Sequence, residues 1–281
     1  MRRLCDGLLI LFVLFASVLT VSAATVDGMR IYSKVTGSGP KTIVFVHGWT
    51  CDSSSWTGQV GPFSSTYRVV TLDLPGHGQS GSPADGKFSM DLFARAVEAV
   101  RAEVNADRIV LVGHSMGAPV IRQYARLYPQ RVAGLVAVDG PLTLPPFAQG
   151  GRGGQPPLVP SFTGPDGLKA REQMIRSMFT PQTPPQLQQQ ILDMMLKAPE
   201  ATATGAMLTI FDQSVWKDDL VQAPTIAIVA GTGQMPNVDA TKKVIPNFEA
   251  TQVAGTGHFV MMEKPEEFNK LLTGFLGHIH F

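Results

Sequence analysis

A serine set between glycines, directly after an apolar strand and directly before a helix, constrains this chain more than any other feature. Ile109-Val110-Leu111-Val112 runs into Gly113-His114-Ser115-Met116-Gly117, and Ala118 to Tyr128 continues with helical character. Such a strand, tight turn and helix put the central residue at a strained backbone angle, so its neighbours on the crowded sides must be glycine. Ser115 is therefore the candidate nucleophile. A serine hydroxyl is weak at neutral pH and requires a hydrogen-bonded base.

The rest of the chain alternates strands and helices, which predicts a mostly parallel sheet covered on both faces. Candidate strands are Met29 to Val35, Thr42 to Val46, Tyr67 to Leu72, Arg108 to Val112, Ala133 to Val138, Thr225 to Ala230 and Glu249 to Ala254. Several are almost wholly apolar, as strands buried on both faces are. Asp91 to Asn105 has the period of an amphipathic helix with Ser89 as N-cap, and Glu263 to Leu276 predicts a closing helix. Residues 141 to 214 interrupt the alternation. A Pro- and Gly-rich stretch, including Gly150-Gly151-Arg152-Gly153-Gly154, leads to helical segments near Gly167 to Phe179, Pro185 to Leu196 and Glu200 to Asp212. The expected organisation is a core of residues 24–140 and 215–281 with a helical cap of residues 141–214 inserted.

The N-terminus, Met1-Arg2-Arg3 followed by an apolar run from Leu8 to Val21 and the small-residue pattern Val21-Ser22-Ala23, predicts a cleaved signal peptide over residues 1–23 and an exported protein. The run is shorter than the roughly 20 apolar residues that span a bilayer, so no stable membrane insertion is expected after cleavage. Cleavage removes Arg2, Arg3 and Asp6, leaving 21 basic and 21 acidic residues among 258. A neutral chain gives no electrostatic reason to expect nucleic acid or anionic membrane as a partner. Cys51 alone remains of two cysteines, so no internal disulfide is possible, and no His and Cys spacing suits a metal. The glycine runs match neither a dinucleotide nor a phosphate loop, so no cofactor is expected.

His258, in Gly255-Thr256-Gly257-His258-Phe259, falls between the last strand and the last helix and follows the serine in chain order, the place for its base. With His47-Gly48-Trp49 after one apolar strand and Asp73-Leu74-Pro75-Gly76-His77-Gly78-Gln79-Ser80 after the next, these residues resemble the α/β-hydrolase family. The resemblance implies an α/β-hydrolase fold with backbone N–H groups of Trp49 and Met116 as oxyanion-hole donors. It implies bracing roles for His47 and His77, and a role for Asp73 within its own turn.

The triad acid is less direct. The family position after strand Thr225 to Ala230 reads Gly231-Thr232-Gly233-Gln234, and glutamine cannot hold charge beside an imidazolium. Asp139, at the end of Leu135-Val136-Ala137-Val138, occupies an alternative position that other branches of the family use. Asp239 is a second candidate, and the absence of any acid a third reading. Cys51 is expected to be packed, as are the cap methionines Met174, Met178, Met194, Met195 and Met207.

Serine in place of aspartate argues against dehalogenase and epoxide hydrolase chemistry, which need a carboxylate nucleophile. The expected activity is a carboxylesterase-like serine hydrolase cleaving an ester or related acyl bond of a small, largely uncharged substrate. The alternatives are a non-catalytic binding module of the same fold, and hydroxynitrile-lyase-like use of the same triad.

Overall fold

The computed structural model describes residues 24–145 and 162–280. A short hairpin, β1 (Thr25–Val26) with β2 (Met29–Arg30), precedes a seven-stranded sheet of β3 (Ser33–Thr36), β4 (Thr42–Val46), β5 (Arg68–Leu72), β6 (Ile109–His114), β7 (Val132–Val138), β8 (Thr225–Ala230) and β9 (Phe248–Val253). Its spatial order is β3-β5-β4-β6-β7-β8-β9, and only the edge strand β3 runs antiparallel. Every residue of β4, β6, β7 and β8 is buried, which accounts for their predominantly apolar character. The α/β class and the parallel sheet expected from the sequence are therefore present.

Helices cover both faces: α1 (Thr57–Ser64), α2 (Met90–Glu103) and α3 (Gly117–Leu127), then, after β8, α7 (Val238–Lys242), α8 (Val260–Glu263) and α9 (Pro265–His278). Ser89 caps α2 as its position predicts, with Oγ accepting from the Leu92 N–H at 3.1 Å. Two expected elements divide. The strand foreseen over Met29 to Val35 breaks at Ile31-Tyr32, because the Tyr32 N–H is taken by Ser80 Oγ and the Ile31 N–H by the Ala24 carbonyl. The closing helix breaks at Lys264, whose backbone (φ −134°, ψ 66°) leaves the helical region that a following proline disfavours, and restarts with Pro265 as its first residue.

Between β7 and β8 stand α4 (Gly167–Arg176), α5 (Pro185–Met195) and α6 (Glu200–Phe211). The glycine-rich stretch of residues 150–154 lies outside the described residues, as does the expected signal peptide. Buried Arg171 of α4 closes the end of α5 by donating to the carbonyls of Leu196 and Ala198 at 2.6 and 2.7 Å. Helix α6 is pinned to the core by two bonds: Trp49 Nε1 donates to the Ala203 carbonyl at 2.7 Å, and Thr202 Oγ1 to the Gly76 carbonyl at 2.9 Å. Met194, Met195 and Met207 are buried in packing, and the Cys51 thiol is 1% exposed, its pKa pushed up by burial.

Three histidines are wholly enclosed near the carboxyl edge of the sheet, and burial lowers their pKa from the ordinary 6.5 to about 4 for His47 and about 3 for His77 and His114. Below pH 6.5 the unfolded chain binds protons at these sites and the folded chain does not. Stability is thus full above pH 6.5 and is lost as pH falls toward the folded values. Asp73, whose carboxyl is raised by burial, acts in the opposite sense, one group against three. Urea unfolding at pH 7.5 and 5 is expected to differ by about 5 kcal/mol, at roughly 1.4 kcal/mol per proton and pH unit. A flat profile over that interval would contradict the neutrality of these rings.

Candidate active site

At the end of β6 the chain turns into α3 at Ser115, whose φ of +52° is in the left-handed region that side-chain-bearing residues seldom adopt. The turn can be this tight because glycines surround it. A Cβ on Gly113 would lie 2.3 Å from the Gly117 carbonyl oxygen, and one on Gly117 would lie 2.5 Å from that of Val46. Two further glycines complete the enclosure, Gly140 against the Ser115 carbonyl oxygen at 2.3 Å and Gly48 against the Ser115 Cβ at 3.1 Å. Ser115 N–H is bonded to the Val138 carbonyl at 2.9 Å, which ties the turn to β7. Ser115 is half-buried, and its Oγ forms no hydrogen bond among the described residues.

The next strand end carries Asp139, also at positive φ (+43°). Its Oδ1 accepts from the Ala230 N–H at 2.9 Å, and its Oδ2 lies 2.6 Å from His258 Nδ1. Burial raises the carboxyl pKa, but the hydrogen bond and charge of His258 and the Ala230 N–H outweigh it, so Asp139 is held below its ordinary value. An ionised carboxylate only accepts, which places the imidazole proton on Nδ1 and leaves Nε2 as the basic nitrogen.

The structure joins His258 to Asp139 and not to Asp239, which is exposed in the first turn of α7 with no bond to the histidine. The turn that lacks the acid at Gln234 folds over Asp139. Gln252 Nε2 donates to the carbonyls of Ala230 and Gly233, both at 2.9 Å, and a Cβ on Gly233 would lie 2.7 Å from Asp139 Oδ1.

The backbone N–H groups of Trp49 and Met116 find no acceptor among the described residues, whereas their side chains are buried, Trp49 stacking on Phe162 with centroids 4.9 Å apart. His47 braces its neighbours as expected, Nε2 accepting from the Leu74 N–H at 2.9 Å. Asp73 does more than hold its own turn. Its two oxygens accept from Gln79 N–H and from Ser53 N–H, both at 2.8 Å, joining the loops after β5 and β4.

Sequence reasoning missed Glu263, which accepts from the backbone on either side of His258. It also missed His114 Nε2, which bonds the His258 carbonyl at 2.9 Å. A surface groove of about 510 Å³ lies elsewhere, between Asp52, Ser54 and α5, and neither Ser115, Asp139 nor His258 lines it. Among the described residues no three His, Cys, Asp or Glu side chains are grouped to hold a metal ion, and no helix is long and apolar enough to cross a membrane.

A mostly parallel sheet that delivers a glycine-crowded serine, a carboxylate and a histidine to one edge is the architecture of an α/β hydrolase. The chain belongs to the alpha/beta hydrolase family, whose model matches residues 43–271. It is 27% identical over 275 residues to a 2-hydroxy-6-oxononadienedioate/2-hydroxy-6-oxononatrienedioate hydrolase of Paraburkholderia phymatum, covering 89% of this chain and 91% of that one. A non-heme chloroperoxidase of Streptomyces lividans is 29% identical over 290 residues, covering 91% and 99%. Among solved structures, an N-acyl homoserine lactone degrading enzyme superposes with a TM-score of 0.74 at 26% identity, covering 90% and 99%.

Proposed function

We propose that this protein is an exported serine hydrolase, carboxylesterase-like, that cleaves an ester or related acyl bond of a small, largely uncharged substrate through an acyl-Ser115 intermediate. The observation that carries the reading is the 2.6 Å pair of His258 Nδ1 with Asp139, beside a serine held at positive φ. His258 Nε2 takes the Ser115 hydroxyl proton as Oγ attacks the carbonyl carbon. The Trp49 and Met116 N–H groups stabilise the oxygen that becomes negative. His258 then returns the proton to the leaving alcohol, and a water molecule, deprotonated by the same nitrogen, releases the acid and restores Ser115.

The contact between Ser115 and His258 forms when substrate is bound, as such contacts tighten in the Michaelis complex. Apolar Trp49 and Phe162 beside the oxyanion loop support an uncharged acyl group. Export rests on the N-terminal pattern of residues 1–23. The relatives' hydrolase and lactone-degrading activities support acyl chemistry in general, without choosing the substrate. A non-catalytic binding role had its best support in the missing acid at position 234, and the Asp139 carboxylate beside His258 Nδ1 supports the catalytic reading over it.

The mature protein is expected to hydrolyse p-nitrophenyl acetate and butyrate, and a fluorophosphonate probe is expected to label it once, on Ser115. The absence of both turnover and labelling would overturn the proposal, while cyanohydrin cleavage without ester turnover would move it to lyase chemistry.

A further inference from the structure

The loop that carries His258 is held by an arrangement that the hydrolytic mechanism does not itself use. Three consecutive backbone N–H groups are bonded away from solvent: Gly257 N–H to Glu263 Oε2 at 2.9 Å, His258 N–H to the Met178 carbonyl at 3.0 Å, and Phe259 N–H to Glu263 Oε1 at 3.2 Å. The His258 carbonyl accepts from His114 Nε2. The same Glu263 oxygen that holds Gly257 also accepts from Thr183 Oγ1 at 3.0 Å, and Thr183 is 2% exposed. One carboxylate therefore links the histidine loop to the turn between α4 and α5.

Gly257 fits this arrangement, since a Cβ there would lie 2.6 Å from the Met178 carbonyl oxygen and 3.1 Å from Glu263 Oε1. A glutamate bonded to backbone N–H groups at the start of a short helix is by default a capping device that serves stability. Two features take Glu263 beyond that. Its two loop bonds straddle the residue that carries the imidazole, and its third bond crosses to a different segment.

We propose that Glu263 is a positioning residue for His258, and that Thr183 holds Glu263 in place from the α4–α5 turn. The inference rests on the assignment of His258 as the general base. With its N–H, carbonyl and Nδ1 all bonded, the imidazole has one position, from which Nε2 meets Ser115 Oγ when substrate arrives. Releasing Gly257 and Phe259 lets the loop, and Nε2 with it, shift by a fraction of an ångström to an ångström. A displacement of that size costs on the order of a hundredfold in rate.

Glu263→Gln keeps the shape but presents an amide NH2 to at least one of three donors. It is expected to lower kcat for p-nitrophenyl butyrate by about 10- to 100-fold, with KM changed by less than about threefold. The fluorophosphonate labelling rate should fall in parallel while the final labelled fraction stays at that of wild type, which separates mispositioned from unfolded protein. Thr183→Val, which removes the bond to Glu263 together with the two that tie the Thr183 hydroxyl to the Thr180 N–H and Oγ1, should lower kcat several-fold, and Thr183→Ser should restore it. Glu263→Gln and Thr183→Val both melting lower, yet turning over and labelling at the wild-type rate below their melting points, would overturn the proposal and leave Glu263 a cap. Failure of the wild-type protein itself to label or turn over would instead remove the general base on which the inference stands.

Discussion

Asp139→Asn is expected to lower kcat by about 10⁴-fold, and the surroundings of the residue explain why the isosteric change is so damaging. The Ala230 N–H donates to Oδ1, so the asparagine must turn its carbonyl oxygen that way to keep an acceptor there. Its NH2 group then faces His258 Nδ1, where the carboxylate oxygen now sits at 2.6 Å. A donor in that position forces Nδ1 to accept and moves the imidazole proton to Nε2. The nitrogen that should take the Ser115 proton is then already protonated. Stabilisation of the imidazolium is lost with the same change. The comparison that decides the matter is Asp239→Asn, expected to retain wild-type kcat because Asp239 is exposed on α7 with no bond to His258. A loss of less than tenfold in Asp139→Asn, or an equal loss in both variants, would remove Asp139 from the triad.

The partner of His258 was only partly legible in the sequence: glutamine at position 234 cannot carry charge, the family resemblance offered Asp139 at the end of an apolar strand as an alternative, and Asp239 stayed open beside it. The sheet was legible for a simpler reason. Strands buried on both faces are apolar except at their ends, where Thr42, His114 and Thr225 stand, so β4, β6 and β8 are marked in the sequence almost to the residue. What escaped depended on partners remote in the chain. Nothing near Tyr32 announces that Ser80 Oγ will take its N–H and end the strand. Gly48, Gly140 and Gly233 read as ordinary loop glycines until their neighbours are known, and each proves to be a contact point with Ser115 or Asp139. Glu263 looks like one of several acids on a terminal helix. The break before Pro265 differs from these, because it follows from a local rule that the helical period of Phe268, Leu271 and Leu272 had masked.

Ser115→Ala should abolish turnover, by about 10⁶-fold in kcat, the scale on which serine hydrolases lose activity without the nucleophile. The oxyanion donors and the binding surface remain, so a residual rate above that in water is expected, but no covalent labelling. The stability of the variants provides a second, independent reading of the same residue. Alanine keeps the Cβ and therefore the cost of φ +52°. Ser115→Gly removes it. A residue held in the left-handed region costs about 1 kcal/mol or more, against which glycine's greater freedom in the unfolded chain weighs about 0.5–1 kcal/mol. Ser115→Gly should thus be as inactive as Ser115→Ala and equal or exceed it in stability, by up to about 1 kcal/mol, or a rise in Tm of about 2–4 °C. Ser115→Ala retaining more than about 1% of wild-type kcat would dismiss the acyl-serine mechanism. A glycine variant clearly less stable than alanine would mean instead that the turn stores no strain at Ser115, and that the four surrounding glycines serve access to the hydroxyl rather than relief of a strained backbone.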